Sequence, residues 1–187
     1  MYRERREREW EDYAILLDIY RRGRDILLGQ VIGEKYFKLM EFQLDPNVEF
    51  KLFERVYVGH GRRKVKRFSR FLSYRDLTEN ARKNLRKAVE KLILMDEDKW
   101  IAFFNKAGPI THRGHALELL PGIGKKTVVK ILEEREEKIF NSYKDIKERL
   151  GIDPIIVLRD KLVEEIEGKS QYNILLEWSR RWISLGE

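Results

Sequence analysis

At Thr78 the spacing of apolar residues changes, and this change limits the possible folds more than any single motif does. Before it, residues 13–20, 30–33, 35–42, 54–59 and 64–74 form short runs rich in β-branched and aromatic side chains. Turn signals such as Arg21-Arg22-Gly23-Arg24 and Asp45-Pro46-Asn47 separate them. Four or five short strands of this kind predict a small, curved antiparallel sheet or barrel. After it, Leu85, Ala88, Val89, Leu92 and Ile93 recur at helical spacing, with Thr78 placed to cap the helix. Asp96-Glu97-Asp98 opens a second helix, whose apolar face holds Trp100, Ile101, Phe103 and Phe104, and Pro109 ends it. Thr111 then caps a further helical stretch that reaches about Glu137. The predicted fold class is α+β: a basic antiparallel barrel over residues 1–76, then a helical domain over residues 77–187.

Composition narrows the functions. With 187 residues, 42% of them hydrophobic, the chain can fill one large core or two small ones. There is no cysteine, so disulfides, thiol catalysis and cysteine-based zinc sites are excluded. No stretch of 18 apolar residues predicts a membrane span. The mixed-charge start, Met1 to Trp10, lacks the apolar centre of a signal peptide, so a cytoplasmic protein is expected. The formal charge is +7. Most of the surplus lies in residues 1–105, which hold 24 basic and 18 acidic side chains. A positive field favours a polyanionic partner.

Residues 119–126 read Leu-Leu-Pro-Gly-Ile-Gly-Lys-Lys. Residues 112–120 before them have the pattern of a short helix burying Ala116, Leu117 and Leu120. Residues 125–137 after them have that of a second, with Val128, Ile131 and Leu132 on one face. A connection this short implies an αα-hairpin. The amides of Gly122, Ile123 and Gly124 would stand free at the start of the second helix as a cradle for phosphate, and Ile123 would pin the two helices together. Lys125 and Lys126 oppose the helix dipole there, which suits an external anion better than a purely structural helix start. The competing reading is a hairpin that packs only on its own domain or on a protein partner.

These residues resemble the helix-hairpin-helix motif of DNA- and RNA-binding proteins. Its pattern is carried here by Leu120, Pro121, Gly122, Ile123, Gly124, Lys125, Lys126, Val128, Ile131, Leu132 and Arg135, with Val128 where the family often has alanine. The resemblance covers residues 111–137 and implies sequence-independent contact with the sugar–phosphate backbone. Residues 140–168 look like a degenerate second copy. There Ser142 caps a helix, Gly151-Ile152 repeats part of the loop, and Asp153 replaces the second glycine. An acid at that position repels phosphate, so this copy reads as structural.

A second basic stretch runs from Gly59 to Arg75. It contains Arg62, Arg63, Lys64, Lys66, Arg67, Arg70 and Arg75 and no acid, with Phe68, Phe71 and Tyr74 interleaved. Basic side chains can follow a phosphate backbone. The aromatics either stack bases or fill the core.

Catalysis finds little support. Helix capping accounts for Asp96-Glu97-Asp98, and helix initiation accounts for Asp145. His112 and His115, at i and i+3, lack a third ligand. The glycines of the hairpin are too few for a Walker loop. No metal, cofactor, small-molecule substrate or membrane is predicted. The chain as a whole resembles an archaeal family of unknown function described as RNA-binding by prediction. Residues 13–18, Ile32-Gly33-Glu34, residues 54–59, Phe103-Phe104-Asn105, residues 109–113 and residues 117–126 carry that resemblance. It implies an oligonucleotide-binding-like barrel and a C-terminal helix-hairpin-helix region, with no established reaction. The expected function is non-enzymatic binding of nucleic acid, RNA somewhat before DNA, with little sequence specificity. The expected contacts are Gly122, Ile123, Gly124, Lys125, Lys126, Arg62, Arg63, Lys64, Lys66, Arg67 and Arg70. The alternative is a protein–protein adaptor in a repair or translation complex.

Overall fold

The computed structural model describes residues 9–61, 64–111 and 114–186. The chain divides into two compact units. One runs to residue 88 and includes 166–168, and the other comprises 89–165 and 169–187.

The N-terminal unit is built on β1 (Tyr13–Arg22), β2 (Ile26–Gly33), β3 (Leu39–Leu44), β4 (Arg55–Tyr57) and β5 (Val65–Leu72). They form one curled sheet in the order β4-β1-β2-β3-β5, with every neighbouring pair antiparallel. Register shifts after Leu16, Glu41 and Gln43 add the local twist that bends the sheet into a half-barrel. Its concave face buries Ala14, Leu16, Val31, Met40, Phe42, Leu44, Val56 and Val65. Ile15 and Leu17, on the opposite face of β1, are also fully buried, so residues 14–17 form a continuous apolar run rather than an alternating one. Helix α1 (Glu79–Met95) begins in this unit. Thr78 caps it by accepting from the Ala81 amide at 3.0 Å and donates to Asp18 at 2.6 Å, while Asn84 donates to the Leu17 carbonyl at 2.8 Å.

The C-terminal unit contains α2 (Glu97–Lys106), a ribbon of β6 (Pro109–Thr111) and β7 (Gly114–His115), and a 3₁₀ turn (Ala116–Leu119). Then follow α3 (Lys125–Glu137), α4 (Tyr143–Leu150), α5 (Pro154–Ile166) and α6 (Ile174–Ser184). Trp100, Phe104, Leu117, Ile131, Phe140, Ile146, Leu158, Leu162 and Leu175 are among its core residues. An α-helix is expected over residues 112–120; the described part, 114–120, forms β7 and the 3₁₀ turn instead. Pro109, the β-branched Ile110 and Thr111, and Gly114 favour a ribbon over a helix. The Ala116 amide bonds back to the Gly108 carbonyl at 3.0 Å, and the His115 side chain, through Nδ1, accepts from the Leu117 amide at 3.1 Å. Thr111 is therefore a strand residue paired with Gly114, and His115 caps the turn. Burial, with the nearby Arg135 charge, lowers the His115 pKa.

Two buried carboxylates hold backbone amides. Glu11 accepts from Lys35 (2.8 Å), Tyr36 (2.8 Å) and Lys38 (3.2 Å). Glu165, on α5, accepts from Leu175 and Leu176 and so caps α6, whose own N-cap residue Asn173 supplies no side-chain bond. Burial raises Glu11 to about 6 and Glu165 to about 7 against the opposing pull of those amides. A carboxyl with a raised folded-state pKa stabilises the fold fully below its unfolded value near 4.5, and this contribution is lost as pH climbs through 6 to 7. The two contributions are of order 2 and 3 kcal/mol. Asp153 and Glu41 are shifted down instead, so their contributions fade in acid. Thermal melting followed by circular dichroism should therefore show maximum stability near pH 5 and a decline toward pH 8. Glu11→Gln and Glu165→Gln should each flatten that decline; an unchanged slope in both variants would refute the assignment.

Candidate nucleic-acid interface

The Pro-Gly-Ile-Gly stretch forms a tight turn followed by a helix start. Pro121 and Gly122 occupy its central positions, Gly122 at φ +75°, and the Ile123 amide donates to the Leu120 carbonyl at 3.1 Å. Proline followed by a residue of positive φ is the type II pattern, which glycine at the second position accommodates without strain. Ile123 turns inward and is buried. Its amide is thus committed to the turn and is not one of the free donors expected. Gly124 is the N-cap of α3, and the first intrahelical bond runs from the Val128 amide to the Gly124 carbonyl at 3.0 Å. The open donors are therefore those of the first turn of α3, which lack intrahelical acceptors. Among the described residues no side chain caps them, no acid lies in that turn, and Gly124, Lys125 and Lys126 are exposed.

The helix starts nearby are built differently. Ser142 accepts from the Asp145 amide at 3.0 Å, and Glu97 takes the Tyr143 amide. Asp153 accepts from the amides of Ile155 (3.2 Å) and Ile156 (3.4 Å), so the turn at residues 151–153 satisfies itself with an internal anion. Asp96, a second member of the acidic triplet, pairs with Lys99 at 2.6 Å. Arg135, at the far end of α3, donates through Nη1 to the carbonyls of Phe104 and Ala107, which makes it structural.

The basic strand is less free than its sequence suggests. Arg62 and Arg63, and likewise His112, lie outside the described residues. Lys66 pairs with Asp45 at 2.7 Å, Lys64 with Glu54 at 3.8 Å, and Arg70 with Glu41 at 3.4 Å and Asp76 at 3.9 Å. Burial would raise the Glu41 carboxyl, but hydrogen bonds from Tyr20 and Gln30 and the Arg70 charge outweigh it and hold it below the usual range. Arg67 is exposed, with no carboxylate in ion-pair range among the described residues. Phe68 packs edge-on against Trp10, Phe42 and Phe71 at 5.2, 5.5 and 4.9 Å, on the flank of the half-barrel core. Phe68 and Phe71 thus pack against the core. Tyr74 lies under the Arg82 guanidinium at 5.6 Å.

The sequence reading passed over Arg55 and Tyr57, whose i, i+2 spacing on β4 places both side chains on one face with Tyr13 opposite. Among the described residues, no helix is long and apolar enough to cross a membrane.

Comparison with known proteins places this architecture among archaeal relatives. The uncharacterized protein MJ0038 of Methanocaldococcus jannaschii is 39% identical over 179 residues, covering 92% of this chain and 82% of that protein. The crystal structure of Af1531 from Archaeoglobus fulgidus, described there as a DUF655 protein, superposes with a TM-score of 0.81 at 37% identity. It covers 89% of this chain and 99% of that one. The family model described as "protein of unknown function (DUF655)" matches residues 10–177, and the chain belongs to that family.

Proposed function

We propose that this protein binds nucleic acid through the sugar–phosphate backbone, with little sequence specificity and without catalysing a reaction on it. The observation that carries the reading is the start of α3. It is an exposed, uncapped helix N-terminus behind a glycine, with two lysines and no acid in its first turn. That arrangement leaves oriented amides and positive charge for an external anion. A helix-hairpin-helix role for residues 111–137 rests on this turn and helix, the ribbon and 3₁₀ turn standing where the first helix was expected. The curled five-stranded sheet, with exposed Arg67 on β5, supports the oligonucleotide-binding-like reading of the N-terminal unit. RNA is favoured somewhat over DNA. The ion pairing of Lys66 and Arg70 favours the adaptor alternative for β5, since neutralised lysines and arginines attract phosphate weakly.

Fluorescence anisotropy with single- and double-stranded RNA and DNA across a salt series tests the reading. The logarithm of affinity should fall linearly with the logarithm of salt. Gly124→Asp separates function from fold. A Cβ at residue 124 meets nothing within 4 Å, and aspartate is a good N-cap. Stability should hold or rise by a few tenths of a kcal/mol, while affinity drops roughly tenfold or more as the carboxylate occupies the phosphate position. Unchanged affinity would remove α3 from the interface. A stable protein partner recovered from nuclease-treated lysate, with no nucleic-acid affinity, would make the adaptor reading the better one.

A further inference from the structure

The β4 edge of the N-terminal unit carries an open cavity of about 420 Å³, lined in part by Tyr13, Glu54, Arg55, Tyr57 and Lys64. The strand register sets Tyr13 directly opposite Tyr57, with Arg55 two residues away on the same side. Val56, between them, turns into the core. The two tyrosines are 36% and 41% exposed.

Exposed tyrosines ordinarily sample several rotamers, but these are held. The Tyr57 hydroxyl donates to the His60 carbonyl at 2.9 Å. Its ring meets Tyr13 edge-on at 5.1 Å. The ring tip lies over Gly59, where a Cβ would come within 2.7 Å of Cζ and Oη, so only glycine admits this packing. The Arg55 guanidinium sits 3.6 Å over the Tyr13 ring and is fixed from behind by Glu34 through two hydrogen bonds. The aromatic and guanidinium planes are therefore ordered before any ligand arrives, which lowers the entropic cost of binding.

The rim is polar. Lys64 and Glu54 pair only loosely, at 3.8 Å, with the lysine side chain 63% exposed. Such a surface pair contributes little and yields readily to a ligand. The lysine can then meet a phosphate, and the carboxylate can accept from an exocyclic amine. A preformed π surface flanked by one donor cation and one acceptor matches a nucleobase with its phosphate better than it matches an aliphatic or purely anionic ligand.

We infer that this cavity is a stacking site for an unpaired nucleobase, so that the nucleic acid is single-stranded where it crosses β4. The inference rests on the nucleic-acid reading above. A base inside a duplex has both faces covered by its neighbours and cannot enter.

The test compares three ligands by anisotropy: a single-stranded RNA oligomer, the same oligomer in a duplex, and an abasic strand of equal length and charge. Tyr57→Leu, which keeps apolar bulk but removes the π face, and Tyr57→Ala should each weaken single-strand binding roughly tenfold. Tyr57→Phe should recover most of that loss, and the loss on the abasic strand should stay under twofold. Equal losses on the abasic and natural strands, or no loss in either variant, would overturn the stacking site while leaving backbone binding intact. If the unaltered protein binds none of the three ligands and none of their DNA counterparts, the nucleic-acid reading itself fails, and the stacking site with it.

Discussion

Gly33→Ala is expected to unfold the N-terminal unit at temperatures where the parent chain stays folded. A Cβ at residue 33 would lie 2.0 Å from Glu11 Cδ, 2.2 Å from its Oε1 and 2.3 Å from its Cγ. A flexible side chain elsewhere would swing aside, but Glu11 is fully buried and fixed by the three amides of Lys35, Tyr36 and Lys38. Either the carboxylate leaves and strands three amides, or β2 shifts and breaks its register with β1. Stranding buried donors and moving a buried charge costs about 3–5 kcal/mol, a large fraction of the roughly 5–15 kcal/mol that holds a domain together. Urea denaturation measures this directly. The double change Glu11→Ala with Gly33→Ala should be no worse than Glu11→Ala alone, because the atoms in conflict are gone. A Gly33→Ala loss under 1 kcal/mol, or strict additivity in the double variant, would show that Glu11 does not lie against Gly33.

Arg149→Met should cost the C-terminal unit about 3 kcal/mol. One guanidinium serves four acceptors. Its Nε bonds the Glu134 carboxylate at 3.0 Å and its Nη1 bonds Asp145 at 3.2 Å, while Nη2 reaches the carbonyls of Glu134 and Lys138. It also lies 4.4 Å over the Phe140 ring. The two carbonyls lie at the C-terminal end of α3, where the helix dipole is negative: that of Glu134 also accepts the amide of the C-cap residue Lys138 at 3.0 Å, and that of Lys138 itself lies past the last intrahelical donor. Methionine keeps most of the apolar stem over Phe140 and removes every donor, so the loss reports the charge and hydrogen bonds rather than packing. Lysine keeps the charge but cannot fork to four acceptors, and Arg149→Lys should recover less than half of the loss. A melting temperature unchanged in Arg149→Met would mean that solvent replaces the clasp at no cost.

What the sequence determined by itself is what local periodicity and local hydrogen bonding encode. The strand-to-helix change at Thr78, the cap that Thr78 makes, the Ser142 cap of α4, the turn at Gly122 and the inward Ile123 all rest on residues a few positions apart. The resemblance to the family was readable for the same reason, since each stretch that carries it is a short contiguous run of residues. The tertiary structure alone decided the rest, because the deciding partners are distant in the chain. Residues 112–120 are the local exception: their apolar spacing was helix-compatible, yet the described part, 114–120, makes one strand of a ribbon and a 3₁₀ turn through a bond from the Ala116 amide back to Gly108 and the His115 cap. Residues 59–75 hold no acid, yet strand register brings Asp45 to Lys66 and Glu41 to Arg70. The same register turned Phe68 toward Trp10 and Phe42, and set Tyr13 against Tyr57 across 44 positions of sequence. Periodicity reports which face a side chain takes; which charge or ring it meets there depends on sheet register, a property of paired strands that no single strand contains.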